Sequence, residues 1–233
     1  MKHIVIYYIA TGAYIRFFKN FLKGLERFFP NDKKTVVLLT DSIEIYESKN
    51  SNIAIQRHYI EHFCWPIVAL FKMKYILDYY IEDCDYAFYM NANSTWNGNN
   101  DLDLTKDLTF AIHYDNEIYP YTYYNKKQII NSKSFIDYNS LPNGIRYCQS
   151  GFFGGGGKMK LFCNDICDML KKDLPKGIIP TWHDESYLNK WLYDNYWMKE
   201  EKPNYNIVKM RDYLTLEDKG TLWTSFKTGN TSF

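Results

Sequence analysis

His3-Ile4-Val5-Ile6-Tyr7-Tyr8-Ile9-Ala10-Thr11-Gly12 is the stretch whose reading decides the fold. From His3 to Ile9 it is an apolar run of β-branched and aromatic residues without alternation, which predicts a buried strand. Thr11-Gly12 breaks the run. Phe17, Phe21, Leu25 and Phe28 then recur at helical steps, until Pro30-Asn31-Asp32 stops the pattern. Thr35 to Leu39 is a second buried strand ending at Thr40-Asp41. Strand, helix and strand within about forty residues predict a parallel unit, the start of a nucleotide-binding sheet.

The same alternation continues along the chain. Ile53 to Ile60 reads as a strand, and Pro66 to Ile81 as a helix with proline near its first turn. Tyr86 to Met90 has little polarity, so it is placed centrally in the sheet. Asn91-Ala92-Asn93 follows it directly, at the strand end where open α/β sheets bind ligands. Leu108 to Ile112 and Phe152 to Gly157 read as further strands, the second running into glycines. Lys158 to Lys172 and His183 to Tyr193 read as helices, the latter entered through Asp184. Tyr114 to Asn143 is polar, Tyr-rich and weakly patterned, and is expected to be a long loop over the cleft. The last fifteen residues carry little pattern. Without repeats, low-complexity segments or a linker, the chain is expected to be one α/β domain with a Rossmann-like mixed sheet flanked by helices.

Bulk properties exclude several classes. The 233 residues can bury a sizeable core, so neither a disulfide nor a structural metal is required for stability. The net charge is +1 with no basic block, so neither nucleic acid nor an anionic membrane surface is implied as a partner. No apolar run reaches the ~20 residues of a membrane span. The start resembles a leader only faintly and is better explained as a first strand. Five cysteines, an odd count without ladder spacing, indicate a reducing, cytoplasmic setting. Cys163 and Cys167 are expected to be buried thiols on one helix. The 22 tyrosines fit either a Tyr-rich core or a cleft whose rings stack on sugars.

Three stretches are candidates for chemistry: Tyr89-Met90-Asn91-Ala92-Asn93, Ser150-Gly151-Phe152-Phe153-Gly154-Gly155, and Trp182-His183-Asp184-Glu185-Ser186-Tyr187-Leu188-Asn189-Lys190. Singly, each has a plain account as turn formers, a glycine-bearing strand end or a helix start. In this order and spacing the chain resembles the ABO histo-blood-group glycosyltransferase family, from the first strand to Lys227. The resemblance implies a GT-A fold, a UDP-sugar donor, an oligosaccharide acceptor and a retaining transfer that makes an α1,3 linkage to galactose. It also implies a division into a UDP-binding half at about 1–93, an acceptor and catalytic half at about 94–218 and a mobile tail at about 219–233. It matches the family's catalytic domain without the membrane anchor and stem of vertebrate members.

By the same resemblance, Glu185 is the reaction-centre carboxylate, either a nucleophile or a stabiliser of an oxocarbenium-like state. Ile9, Thr11 and Tyr14 match the uridine-binding segment, Lys72 a donor-site arginine, Asp184 a group that accepts hydrogen bonds from the donor sugar, and Lys227 a phosphate-contacting lysine. His113, Gln149, Trp182 and His183 match acceptor-side positions. Gly151 faces C2 of the donor sugar, where its lack of a side chain favours an N-acetyl group. Gln149 beside it matches neither familiar vertebrate choice. The main departure is at Asn91 and Asn93, where the family usually has Asp-x-Asp holding Mn²⁺. Hard cations prefer charged oxygens, whereas amide NH₂ groups can donate to phosphate. The expectation is therefore an enzyme without a metal or other cofactor that uses UDP-GalNAc on a fucosylated galactoside. A UDP-Gal-using relative and an inactive lectin-like binder remain open alternatives.

Overall fold

The computed structural model describes residues 1–112, 128–137, 139, 141 and 143–217. Its strands are β1 (His3–Ile9), β2 (Lys33–Thr40), β3 (Ile53–Tyr59), β4 (Tyr86–Met90), β5 (Ser94–Trp96), β6 (Leu108–Ile112), β7 (Cys148–Gly155), β8 (Tyr205–Lys209) and β9 (Leu214–Leu216). The α-helices are α1 (Phe18–Leu25), α2 (Ile67–Leu70), α3 (Lys72–Asp78), α4 (Met159–Asp173) and α5 (His183–Leu192). Seven strands form one mixed sheet in the order β3-β2-β1-β4-β7-β6-β8, and β5 pairs with β9 in a small second sheet. Within the large sheet β7 alone runs against its neighbours. The arrangement agrees with the expected GT-A-like α/β fold.

The unbroken apolarity of β1 has a direct cause, because both of its faces are covered. Val5, Tyr7 and Ile9 point into one core with Met73, Ile76, Phe162 and Leu188 from α3, α4 and α5. Ile4, Ile6 and Tyr8 point into the other, with Phe18, Phe21 and Leu25 of α1 and Trp96 of β5. Each such buried Phe or Leu contributes about 1.5–3 kcal/mol through removal of apolar surface from water. The two cores make a three-layer domain. β4 is the middle strand of seven, as its composition predicts.

Several boundaries differ from the sequence reading. The first helix opens with a 3-10 turn over Gly12–Phe17. The helix expected over Pro66–Ile81 is two short ones, interrupted at Phe71. β7 begins four residues earlier than its apolar part, at Cys148. β5, β8 and β9 carry no strong pattern and were not expected. Of the loop expected over Tyr114 to Asn143, residues 114–127, 138, 140 and 142 lie outside the described residues and the rest form no strand or α-helix; the expected tail at about 219–233 lies wholly outside.

Chain direction positions the cleft. After β1 the chain winds outward through β2 and β3, then returns to β4 on the other side of β1. The carboxyl ends of β1 and β4 therefore diverge, and a crevice opens between them. At the same end β7 is only beginning, because it is antiparallel to β4. Gly154 allows the close pairing of these two strands. Its φ is +142°, and a Cβ there would stand 2.2 Å from the Ala87 carbonyl oxygen.

Candidate active site

The crevice is a cavity of about 310 Å³. It is lined by Ile9, Thr11 and Tyr14 after β1, by Lys72 on α3, by Asn91 after β4, by Gln149 and Gly151 on β7, and by Trp182, His183, Asp184 and Glu185 at the head of α5. Of the residues singled out in the sequence, these eleven meet at one place. Asn93 does not line the cavity. It is buried one layer behind Asn91, donating Nδ2 to the Glu217 carbonyl at 3.1 Å and accepting from the Glu217 N–H at 2.7 Å. His113 and Lys227 lie outside the described residues.

β7 is irregular where it meets the site. Phe110 on β6 pairs with Phe153, but the next residue, Ala111, pairs with Gln149. Ser150, Gly151 and Phe152 are thus extra residues with no partner on β6, a bulge of the kind that re-aims strand groups beside active sites. The freed backbone turns inward. The Ser150 N–H donates to Glu185 Oε2 at 3.1 Å, and the Ser150 carbonyl accepts from Lys72 Nζ at 2.8 Å. The Gly151 carbonyl accepts from the Asn91 N–H at 2.8 Å.

Lys72 is the hub of the polar network. Its ammonium lies 2.6 Å from Asp184 Oδ2, 3.1 Å from Ser150 Oγ and 4.5 Å from the centre of the Tyr89 ring. Burial pulls the lysine pKa down, but the Asp184 carboxylate, helped by Tyr89 and Glu185, more than offsets this and holds it above the ordinary value. Glu185 behaves oppositely. Burial, followed by the adjacent Asp184 charge, pushes its pKa up to about 8, against the lowering effects of the Ser150 N–H, Lys72 and Tyr147. Asp184 and Glu185 sit in the first turn of α5, where the helix dipole favours negative charge. Two adjacent carboxyls with environments this different are suited to different tasks. His183 holds φ +49°, a strained conformation for a non-glycine residue, and burial, partly opposed by the Asp184 charge, keeps its imidazole below the ordinary pKa.

The opposite wall is aromatic. Phe63 and Trp65, from the segment between β3 and α2, line the cavity along with Trp182, and Trp65 meets the His183 ring edge-on at 4.8 Å. His62 Nδ1 lies 3.0 Å from Thr11 Oγ1. His62, Phe63 and Trp65 were not singled out from the sequence, and Tyr89 and Ser150 fell inside candidate stretches without being given a role. Two aromatics in a polar stretch just before Pro66 were the available signal for Phe63 and Trp65. The tyrosines divide between both expectations: Tyr7, Tyr8, Tyr147 and Tyr187 are core, whereas Tyr14 and Tyr89 line the cavity.

Asn91 and Asn93 do not fit a hard divalent cation. Asn91 Nδ2 donates to Asn93 Oδ1 at 2.8 Å, so that oxygen is already engaged, and both amides are neutral. Asp184 is committed to Lys72, and among the described residues no group of three His, Cys, Asp or Glu side chains could hold a metal.

Comparison with known proteins accords with this geometry. The family described as "Glycosyltransferase family 6" matches residues 3–213. The O-antigen biosynthesis glycosyltransferase WbnI of Escherichia coli is 34% identical over 209 residues, covering 82% of each chain. A globoside alpha-1,3-N-acetylgalactosaminyltransferase 1 of Canis lupus familiaris is 25% identical over 236 residues, covering 92% of this chain and 66% of the dog protein. The histo-blood group ABO system transferase 2 of Rattus norvegicus is 23% identical over 211 residues, covering 84% of this chain and 60% of the rat protein. The chain thus spans most of the bacterial relative and less than two thirds of these vertebrate ones. Among the described residues no helix is long and apolar enough to cross a membrane.

Proposed function

The chain belongs to glycosyltransferase family 6, and we propose that it transfers GalNAc from UDP-GalNAc, with retention and without a metal ion, in α1,3 linkage to the galactose of a fucosylated acceptor. The observation that carries this reading is the placement of Glu185 and Asp184 in one helical turn, facing a cleft at the divergence of β1 and β4. Uridine enters along Ile9, Thr11 and Tyr14. The donor sugar lies over Gly151 between Asn91 and Asp184. Asp184, fixed by Lys72, accepts hydrogen bonds from sugar hydroxyls, and Glu185 faces the anomeric carbon. When the bond from C1 to the UDP oxygen breaks, positive charge grows on the sugar and the ionised Glu185 stabilises it. The acceptor hydroxyl then bonds to C1 on the face UDP has left, near Trp182, His183 and Gln149, and gives its proton to the departing phosphate oxygen of UDP; by the family resemblance His113 serves the same acceptor.

The leaving diphosphate needs a compensating cation. Lys72 is already paired with Asp184; the family resemblance gives this task to Lys227, assisted by the Asn91 amide. The choice of GalNAc rests on Gly151, which adds no side chain of its own beside those of Gln149 and Asn91, and accords with the N-acetylgalactosaminyltransferase named among the relatives. The reading is tested by measuring UDP release and product linkage from UDP-GalNAc and UDP-Gal, with lactose and fucosylated lactose as acceptors. A faster reaction with UDP-GalNAc on the fucosylated acceptor, giving an α-linked product, is expected. Equal use of both donors, or no transfer to either acceptor, would reject it.

A further inference from the structure

Asn189 lies one turn beyond Glu185 on α5 and is 1% exposed. Its side chain joins three backbone groups. Oδ1 accepts the Cys148 N–H at 2.8 Å, and Nδ2 donates to the Cys148 carbonyl at 2.7 Å and to the Glu185 carbonyl at 2.8 Å. An amide offers a donor and an acceptor in the same relation as a peptide group, so it can replace a neighbouring strand at one residue. Such a replacement is needed here. β4 ends at Met90, opposite Phe152, so Cys148 at the start of β7 has Ile112 of β6 on one side and no β4 residue on the other. Two residues along, on the far side of Gln149, Ser150 donates its N–H to the Glu185 carboxylate. The same stretch of β7 therefore grips both ends of Glu185, its main chain through Asn189 and its side chain through Ser150. This stretch leads into the bulge, where strand pairing no longer defines the register.

We infer that Asn189 is a positioning residue for the transfer reaction. By fixing β7 against α5, it sets the height of Glu185 relative to the Ser150 N–H and the donor sugar. The inference rests on the reading of Glu185 as the reaction-centre carboxylate. Aspartate could not substitute, since it would accept from Cys148 but offer no donor to either carbonyl. Its charge would also stand beside a carboxyl that already faces Asp184, Lys72 and Tyr147.

The test compares Asn189→Ala, Asn189→Asp and Glu185→Gln with the wild type in kcat, KM for UDP-GalNAc, the pH midpoint of kcat/KM, and thermal unfolding. A misplacement on the order of 1 Å costs up to about 100-fold in rate, so kcat should fall about 10- to 100-fold in both Asn189 variants. KM should stay within about two-fold, because the uridine and phosphate contacts are untouched. The pH midpoint should move in both variants, upward in Asn189→Asp. If Asn189→Ala fails to fold, Asn189→Asp decides, because it keeps the bond to the Cys148 N–H. A lowered melting temperature with unchanged kcat and midpoint, alongside an inactive Glu185→Gln, would overturn the inference and leave the proposed function standing. An active Glu185→Gln would overturn both.

Discussion

Raising the pH should switch transfer on through Glu185. Both roles open to this residue require the ionised carboxylate, and its burial beside Asp184 places its pKa at about 8. About a tenth of the molecules then carry the charge at pH 7, and about a hundredth at pH 6. The ratio kcat/KM should accordingly climb roughly fifty-fold between about pH 6 and pH 8, about double again, and level off above about pH 9. Two neighbours move the midpoint in opposite directions. Asp184 raises the Glu185 pKa and Lys72 lowers it, so Asp184→Asn should shift the midpoint down and Lys72→Met should shift it up. Removing Asp184 also leaves the Lys72 ammonium unopposed, which acts with the same sign. The assay is initial UDP release at low UDP-GalNAc and saturating acceptor. Stability carries the matching signature. The folded pKa lies above the ordinary value of 4.5, so the contribution of protonated Glu185 is complete below that value and lost as pH rises through about 8. The wild type should therefore lose melting temperature relative to Glu185→Gln as pH rises. A flat rate profile across this range, or midpoints that shift the same way in both variants, would refute the reasoning.

Other expected outcomes follow from the same geometry. Lys72→Met should cost about 3–5 kcal/mol in chemical unfolding, because it strands the buried Asp184 carboxylate; a loss below about 1 kcal/mol would mean that water reaches Asp184. Gly151→Ala should shift donor preference toward UDP-Gal by about 1–3 kcal/mol, measured as the ratio of kcat/KM values. Its new Cβ would stand 3.0 Å from Gln149 Oε1 and narrow the space for an acetamido group; an unchanged ratio would show that Gln149 gives way. Asn93→Asp should lower the melting temperature without creating Mn²⁺ dependence, because a carboxylate cannot donate to the Glu217 carbonyl; activation by Mn²⁺ would contradict this.

Much of the fold was legible because β1, β2 and β4 are buried on both faces, which gives each an unbroken apolar run: Ile4 to Ile9, Val36 to Leu39 and Tyr86 to Met90. β8 was not legible because it lies at the edge of the sheet, and Tyr205 to Ile207 are only partly buried. β5 and β9 have three residues each, too few for any period. The missed start of β7 has a specific cause: Cys148, Gln149 and Ser150 serve the site through their backbone and side chains, so they lack strand-like composition. At the site, Glu185 and Asp184 stood out by motif, but their unequal environments did not. Those depend on Lys72, more than a hundred residues earlier in the chain. Asn93 shows the converse. Its spacing from Asn91 suggested donor binding, whereas it stays out of the cavity lining: its side chain accepts from Asn91 and donates to the Glu217 carbonyl.

The most direct test of the account is transfer from UDP-GalNAc to fucosylated lactose by protein freed of divalent ions, with EDTA present and the product linkage read by NMR. The account predicts an α1,3-linked GalNAc product at a rate that EDTA does not reduce and Mn²⁺ does not raise. Turnover that stops in EDTA and returns with Mn²⁺ would contradict it.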